Sequence, residues 1–509
     1  MTNKAADILK RNKKVFWYTI IIGILTHAFR MTNTMICADT TNYFTSISPS
    51  WVTTLGRFLL PGVEKLRGNV ELPWLIGLIS LMMIELSAVL FTELFDIREE
   101  IFYVIIAWMF SANPVVTSIF AYMYTADGYM IALFFSVLTA YLCFRKKGIA
   151  GLLLASLSLA VSTGFYQAFL SVTILLMLFY LFRMLSVKET SMKEIGRMTG
   201  RCLATGVIGL IVYGIVLTIA RKIGDYTVTN YMGMDQVGGF HVADLLQAFV
   251  DCYVDFARFY LVRFEWNCYN VMNIMMFLLT AVVWLVLVTK RKLWKTPARV
   301  VLMACLFPLL PVVCHIFEFA SPDVSYTSTS MEYSLILVYL LLIIMWTDLK
   351  EMKGNILRIL TVVLLLCISF HFTVIANRAY YNMENANTKV EMLLNRLEMR
   401  MEMTEGYREN MPLAIYGSCY QIPEYVPAAP MMSGVVSNIF ISQDSEYVSM
   451  LNHYLSTAYG TAGMEQKKQI VATEEFAEME PWPAENSVRV IDGVMVLYLS
   501  DTDMKKYLP

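Results

Sequence analysis

The sequence predicts an all-α polytopic membrane bundle of about eleven transmembrane helices, followed by a small α/β domain. Of its 509 residues, 57% are hydrophobic and only 16% are charged, whereas water-soluble domains carry about 25% charged residues. The mean hydropathy is +0.55. Apolar blocks of roughly 17–22 residues recur up to Ala376, and each is long enough to cross a hydrocarbon core of about 30 Å. Because backbone polar groups in lipid must be satisfied within a segment, we expect these blocks to be helices.

Eleven apolar blocks are candidate spans, and the fifth and sixth form a hairpin around Gly164 and Phe165. The predicted spans are residues 15–29, 72–94, 101–120, 128–144, 149–163, 166–185, 202–220, 269–289, 300–317, 331–347 and 355–376.

The distribution of Lys and Arg predicts how these spans are oriented. If the N-terminus is cytoplasmic, the segments on that side hold roughly three times as many Lys and Arg as the loops opposite. We therefore expect a cytoplasmic N-terminus. With an odd number of spans, the C-terminal part then lies on the extracytoplasmic side.

The composition divides the chain into two predicted domains, a membrane domain over residues 1–377 and a soluble domain over residues 378–509. The soluble part contains strand-like runs at 413–416 and 488–499 and a helical stretch near 446–459, which favours a small α/β domain. Within the membrane domain, residues 243–263 have apolar side chains at helical spacing, as in an amphipathic helix at the bilayer surface.

The first outer loop contains Asp39, and Gly56-Arg57 follows eighteen residues later. A carboxylate near the headgroup plane is partly desolvated and suits a general base for a hydroxyl group, while an arginine offers bidentate hydrogen bonds to phosphate. The alternative is that Asp39 is a solvated loop acid and that Arg57 extends towards the bilayer surface.

A second candidate site lies between the third and fourth spans, where Tyr124, Asp127 and Tyr129 share one turn. An acid between two apolar helices is costly unless it has a partner or a function. The alternative is that Asp127 is the N-cap of the fourth span.

The remaining candidates carry aromatic, amide and guanidinium groups. Tyr166 and Gln167 follow Gly164-Phe165 in an outer turn suited to a sugar ring, although aromatic residues are also ordinary at this depth. Arg258 and Arg263 precede the eighth span, where they either contact a phosphate at the membrane surface or are solvated.

Several classes of function are disfavoured by motifs that the sequence lacks. It has no Walker A motif, no G-x-G-x-x-G and no basic tract, so ATP-driven transport and nucleic-acid binding are not expected. The sequence requires no cofactor and has no metal-ligand motif. A divalent cation shared by Asp39 and Asp127 stays open, but two carboxylates from different loops do not make such a motif.

Taken together, these segments resemble the Gtr type II family of integral membrane glucosyltransferases, associated with bacterial O-antigen modification. The resemblance rests on Asp39 with Gly56-Arg57, on the turn from Tyr124 to Tyr129, and on Gly164 to Gln167.

The resemblance implies a GT-C architecture in the bacterial cytoplasmic membrane. It also implies a polyprenyl-phosphate sugar donor, most simply undecaprenyl-phosphate glucose, and a cell-surface glycan acceptor. Transfer would invert the anomeric centre, with an acid on the outer face as base. Many relatives have two adjacent acids in the first loop, whereas Asp39 is flanked by Ala38 and Thr40. This leaves Asp127 as a candidate to share the catalytic role.

Two other functions stay open. A transporter or lipid-linked oligosaccharide flippase predicts charges in the middle of spans, broken helices and repeat symmetry, and of these the sequence shows only Glu85. A polysaccharide polymerase or ligase predicts a long outer loop rich in arginine, for which Arg221, Arg258 and Arg263 are few.

Overall fold

The computed structural model describes residues 2–37, 39, 48–227, 242–264, 268–317, 328–419, 432–436, 441, 444–502 and 504–507. In this part of the chain, ten helical segments are long and apolar enough to cross a membrane. The predicted tenth span is the shorter apolar stretch Tyr333–Asp348. The prediction of a polytopic all-α bundle with a small sheet after it is therefore confirmed.

The helices of the membrane bundle are joined by connections of very different length. In chain order they are α1 (Thr2–Arg11), α2 (Lys13–Thr32), α3 (Pro49–Thr54), α4 (Leu60–Leu66), α5 (Pro73–Leu94), α6 (Glu100–Ser111), α7 (Pro114–Ala121), α8 (Met123–Arg145), α9 (Gly148–Phe165), α10 (Leu170–Ser186), α11 (Met192–Gly224), α12 (Val242–Arg258), α13 (Tyr269–Lys290), α14 (Pro297–Cys314), α15 (Tyr333–Val338), α16 (Leu340–Asp348) and α17 (Ile356–Glu402). A π-helical turn, Phe259–Arg263, extends α12, so the expected amphipathic segment is helical.

The third predicted span is a broken helix, made of α6 and α7. The break has a local cause, because Pro114 cannot continue α6 and the side chain of Asn113 accepts hydrogen bonds from the backbone N–H groups of Val115 and Val116, both at 3.0 Å. The short helix α7 thus starts anew inside the bundle.

The buried guanidinium of Arg30, at the end of α2, meets the end of α7. Its Nε donates to the carbonyl of Phe120 at 3.0 Å and its Nη1 to the carbonyl of Asn33 at 2.8 Å, and Glu71 lies 3.5 Å away. The carboxyl end of a helix carries partial negative charge, so α7 presents carbonyl groups that match this cation.

The chain separates into two compact units. The first comprises Met1–Thr34, Thr45–Asn377 and Pro430–Ser433; the second comprises Met35–Phe44, Arg378–Ala429 and Gly434–Pro509. The helix α17 begins in the first unit and ends in the second. Two short segments belong to a different unit from their neighbours in sequence. Met35–Phe44 is part of the second unit, and Pro430–Ser433 is part of the first.

The second unit contains a three-stranded sheet in the order β1-β3-β2, with β1 at Leu413–Tyr416, β2 at Val488–Ile491 and β3 at Val494–Tyr498. Strand β1 is parallel to β3, and β2 is antiparallel to it. The expected single run at 488–499 is thus a hairpin. Its turn residues Asp492 and Gly493 have φ of 50° and 75°, as two-residue hairpin turns require.

The rest of the second unit packs helices on this sheet. They are α18 (Asp444–Leu455), α19 (Met464–Val471) and α20 (Glu474–Ala477). One hydrophobic cluster includes Leu394, Leu413 and Tyr447, and Ile36 from the loop after α2 is buried among them. A buried Lys467 is ion-paired with Asp444.

Candidate functional site

A short segment between α2 and α5 assembles the candidate site. Helix α3 begins with Pro49 after the N-cap Ser48, and the chain then reverses at Gly56, which has φ of +79°. A Cβ atom at Gly56 would collide with the hydroxyl of Tyr213 and the amide of Gln167. Glycine is therefore required here both by the backbone and by the close approach of these side chains.

The same segment lies against two of the turns that the sequence singles out. The N–H of Leu59 donates to the carbonyl of Gly164 at 3.1 Å, and a Cβ atom at Gly128 would collide with Leu60. These contacts bring the three predicted motifs together, although they are far apart in the sequence.

Arg57 lies over a stacked pair of tyrosines. The rings of Tyr129 and Tyr166 are parallel within 3°, with centroids 3.9 Å apart. The guanidinium carbon of Arg57 is 4.8 Å from the ring centre of Tyr166, and Nη1 donates to the Tyr129 hydroxyl at 2.7 Å. Because both rings are buried, the guanidinium is held in one orientation. We call Arg57, Tyr129 and Tyr166 the arginine platform.

Gln167 holds the backbone of the segment rather than extending away from it. Its Nε2 donates to the carbonyl of Leu55 at 2.6 Å and contacts the hydroxyl of Tyr213 at 3.0 Å. The Tyr213 hydroxyl in turn donates to the carbonyl of Gly56 at 3.2 Å. The amide therefore fixes the reversal that presents Arg57.

Asp127 forms a buried ion pair with Arg67, a residue that the sequence analysis did not select. Their Oδ2 and Nε atoms are 3.4 Å apart, and the two side chains are 2% and 5% exposed. The orientation of these atoms does not form a hydrogen bond. Arg67 also donates through Nη2 to the carbonyl of Tyr124. The acid inside the bundle thus has a cationic partner, as burial of a carboxylate requires.

The expectation that Asp127 is an N-cap is wrong. Helix α8 begins at Met123, and its N-cap is Tyr122. The helix starts earlier than predicted because Tyr124, Thr125 and Ala126 are compatible with a first helical turn. Within that helix, Oδ1 of Asp127 accepts the N–H of Gly128 at 2.9 Å.

The two arginines before the eighth span have other acidic partners. Arg258 is paired with Asp255 of the same helix at 2.5 Å and is half exposed. Arg263 is paired with Glu332, whose side chain is 1% exposed. Neither of these ion pairs includes a residue of the arginine platform.

Asp39 belongs to the second unit and is exposed to solvent. It follows Met35, Ile36 and Cys37, which are buried, and Ile36 is part of the hydrophobic core of that unit. The loop that carries Asp39 is therefore anchored at its start while the carboxylate is accessible.

An open apolar groove of about 440 Å³ lies between α6, α13 and α17 in the first unit. Its lining includes Trp108, Leu366 and Phe370. The indole N–H of Trp108 donates to the hydroxyl of Thr373 at 2.8 Å. None of its lining residues lies in the amphipathic segment 243–263.

Residues 28–318, more than half of the chain, match the family model described as Glucosyl transferase GtrII. This chain belongs to the GtrII family. No curated protein and no solved structure matches it.

The region that matches the GtrII family contains the arginine platform, Gln167 and the Arg67–Asp127 ion pair. Membership confirms the resemblance drawn from the sequence. It gives the chain a glucosyltransferase-type function, with a sugar donor and an acceptor, in a multi-pass membrane protein. Among the described residues, no group of three His, Cys, Asp or Glu side chains is arranged to hold a metal ion, and a divalent cation stays a matter for experiment.

Proposed function

We propose that this GtrII protein transfers glucose from a polyprenyl-phosphate donor to a hydroxyl group of a cell-surface glycan, such as an O-antigen, with a GT-C architecture. The reaction takes place at the outer face of the bacterial cytoplasmic membrane. The observation that carries the proposal is the arginine platform. The guanidinium is held against two stacked tyrosines, and a planar guanidinium of fixed orientation suits the oxygens of a phosphate group.

In the proposed reaction, Arg57 binds the donor phosphate and Asp39 is the general base. The acceptor oxygen attacks the anomeric carbon of glucose and transfers its proton to the Asp39 carboxylate. The bond between the anomeric carbon and the phosphate oxygen breaks, and polyprenyl phosphate leaves. A direct displacement inverts the anomeric centre. Arg57 stabilises the negative charge that develops on the leaving phosphate.

The contacts of the two candidate acids support this division of roles. Asp39 is exposed, as a group that receives a proton from a bulky acceptor must be. The side chain of Asp127 is 2% exposed and is paired with Arg67. This suits a residue that positions the first turns of α8. We therefore assign Asp127 to positioning and Asp39 to proton transfer.

The topology agrees with an outer-face site. With the predicted odd number of spans, we expect the loop after α2 and the C-terminal part of the chain on the same side of the bilayer. Ile36, from the loop after α2, is buried in the core of the second unit, and this supports an odd number of spans between them. The excess of Lys and Arg on the opposite side favours the extracytoplasmic face for both.

The lipid part of the donor requires an apolar surface within the bilayer. The open groove beside Trp108 and Phe370 is lined mainly by apolar side chains, and Phe370 is 60% exposed. We propose that this groove accommodates part of the prenyl chain.

The test is Asp39→Asn in membranes supplied with labelled polyprenyl-phosphate glucose. We expect the transfer rate to fall about 10²–10⁴-fold, the usual contribution of a general base, while the KM for the donor stays unchanged. Glu465→Gln, at an exposed acid of the second unit, is the matched control and retains the wild-type rate. A wild-type rate for Asp39→Asn would exclude Asp39 as the base.

The same membranes separate the proposal from its two alternatives. If the wild-type protein consumes no lipid-phosphate glucose, the proposed donor is wrong. Transfer of a glycan from a diphosphate-linked donor would instead favour a polymerase or ligase. Movement of a lipid-linked sugar across the bilayer without bond formation would favour a flippase.

A further inference from the structure

Four residues from the C-terminal part of the sequence belong to the membrane unit. Pro430–Ser433 is grouped with the transmembrane helices, whereas the residues on either side of it belong to the second unit. Ser433 makes specific polar contacts there. Its backbone carbonyl accepts a hydrogen bond from the Ser118 hydroxyl at 2.6 Å, and the two hydroxyl oxygens are 2.8 Å apart.

The Ser433 hydroxyl also contacts the turn before α15. Oγ of Ser328 donates to it at 2.6 Å, and the backbone N–H of Ser330 points to it at 3.4 Å. The hydroxyls of Ser328 and Ser330 are 3.0 Å apart. The Ser330 hydroxyl lies 3.2 Å from the hydroxyl of Tyr166, which is part of the arginine platform.

The direction of each of these hydrogen bonds follows once each hydroxyl donates its single proton. Tyr166 donates to Ser330, Ser330 to Ser328, Ser328 to Ser433, and Ser433 to Ser118, which returns its proton to the carbonyl of Ser433. Each hydroxyl has one proton to donate, and in this order each proton is used once. Hydrogen bonds that run in one direction strengthen each other. We call this arrangement the serine chain.

We propose that Ser433 is a positioning residue for donor binding. Through the serine chain it fixes the Tyr166 ring, and thereby the orientation of Arg57 towards the donor phosphate. The C-terminal part of the chain then contributes to the affinity of the membrane unit for its lipid-linked donor. This inference rests on the proposed function, because it assigns the platform to phosphate binding.

The burial of the serine chain gives the expected effect. Ser118 is fully buried and Ser330 is 6% exposed, so removal of the Ser433 hydroxyl leaves Ser328 without its acceptor and Ser118 without a donor. Unpaired hydroxyls in such a place are unfavourable, and the turn that carries Ser330 will shift. We therefore expect Ser433→Ala to loosen the Tyr166 ring and to weaken donor binding.

The kinetic test compares three variants in membranes with labelled polyprenyl-phosphate glucose. We expect Ser433→Ala to raise the KM for the donor about tenfold, the effect of one or two lost hydrogen bonds, and to leave kcat within about twofold of wild type. Ser433→Thr keeps the hydroxyl and restores the KM. Ser445→Ala, at an exposed serine of α18, is the control and behaves as wild type.

A double variant separates positioning from a general structural effect. If Ser433 acts through the platform, Ser433→Ala raises the KM little further in an Arg57→Lys background, because coupled residues are not additive. A purely structural role would lower the amount of folded protein and leave the KM of the remainder unchanged. An unchanged KM, or full additivity with Arg57→Lys, would overturn the inference.

A cross-link tests the contact without any activity. We expect Ser118→Cys with Ser433→Cys to form a disulfide under mild oxidation. Ser118→Cys with Ser191→Cys should form none, because Ser191 lies before α11, at the other end of α10 from Tyr166. Absence of the first cross-link would contradict the inference even if the enzyme is active. Wild-type membranes that transfer no glucose would instead overturn the proposed function, and the two failures are therefore distinguishable.

Discussion

The Asp127 carboxylate and the Arg67 guanidinium form an ion pair in which both charges are almost fully buried, with 3.4 Å between Oδ2 and Nε. The pair joins the start of α8 to the end of α4. Arg67 also donates to the carbonyl of Tyr124, in the first turn of α8. One contact thus holds the loop that presents Arg57 against the helix that carries Tyr129.

Removal of either partner of this pair should destabilise the protein strongly. A buried charge that has lost its counter-charge costs about 3–5 kcal/mol, so we expect that loss for both Asp127→Asn and Arg67→Gln. The measurement is unfolding of the purified enzyme in mixed micelles with increasing SDS. The double variant should be more stable than the sum of the two losses implies.

An exposed ion pair of α11 is the control for this experiment. Arg197 and Glu194 are 3.8 Å apart and 75% and 50% exposed, so Arg197→Gln should cost less than about 1 kcal/mol. If Asp127→Asn leaves stability intact but abolishes kcat, Asp127 is a catalytic acid and not a positioning group.

Changes to the arginine platform should act on donor binding. Arg57→Lys keeps the charge but loses the planar group that contacts Tyr166 and, with it, the bidentate hydrogen bonds proposed to the donor phosphate. Hydrogen bonds to charged groups contribute about 1.5–3 kcal/mol. We expect the KM for the lipid-linked donor to rise by one to two orders of magnitude. The measurement is steady-state transfer at varied donor concentration.

Tyr129→Phe provides a finer change at the same place. It removes only the hydroxyl that accepts from Arg57 at 2.7 Å, so we expect a smaller rise in the KM for the donor, on the order of tenfold or less. Tyr381, which is 52% exposed, provides the control Tyr381→Phe. Equal kinetics of the two variants would argue against the platform.

The reversal at Gly56 should not accept a side chain. Gly56→Ala places a methyl group against Tyr213 and Gln167 at a positive φ, so we expect loss of folded protein or of donor binding. Gly62→Ala is the matched control, because nothing lies within 4 Å of its Cβ and alanine favours the helix α4. Fluorescence-detected size-exclusion chromatography compares their folded fractions, and equal folding and activity of both would contradict this prediction.

In the second unit, Cys419 should react slowly with alkylating reagents. Burial raises the pKa of this thiol to about 11, so at pH 8 roughly one molecule in a thousand carries the reactive thiolate. We expect alkylation to accelerate about tenfold for each pH unit from 8 to 10. Peptide mass spectrometry compares the alkylation rate of Cys419 with that of the exposed Cys268. Equal rates at pH 8 would contradict the raised pKa of Cys419.

Most of the transmembrane architecture follows from the sequence because length and hydropathy are local signals. The exceptions are also physical. Tyr333–Asp348 is short for a span, and the break at Asn113 depends on a capping side chain rather than on hydropathy. The β-hairpin of β2 and β3 differs from the single predicted strand because the apolar run on both sides of Asp492-Gly493 is nearly continuous, whereas these two residues form a turn.

The candidate site was only partly predictable. The sequence predicts Asp39, Arg57, Asp127 and Gln167 on one face. In the structure, contacts of the segment around Gly56 and Leu60 join the last three, whereas Asp39 belongs to the second unit. Arg67 and Ser433 were missed because their partners are distant in sequence and no local spacing reveals such pairings. An unpaired acid in a span is costly, and this cost indicated that Asp127 has a partner. The partner is Arg67, which lies between the first and second spans.

The environment of Arg30 has a consequence for the order of assembly in the membrane. This cation ends the first span, but its partners at Phe120 and Glu71 are synthesised later. Until α7 has been made, the guanidinium has the nearby carbonyl of Asn33 but not the carbonyl of Phe120. The contacts that hold the end of the first span are therefore complete only after the third span has been made, so the earliest part of the chain to be synthesised is not the earliest to be fixed.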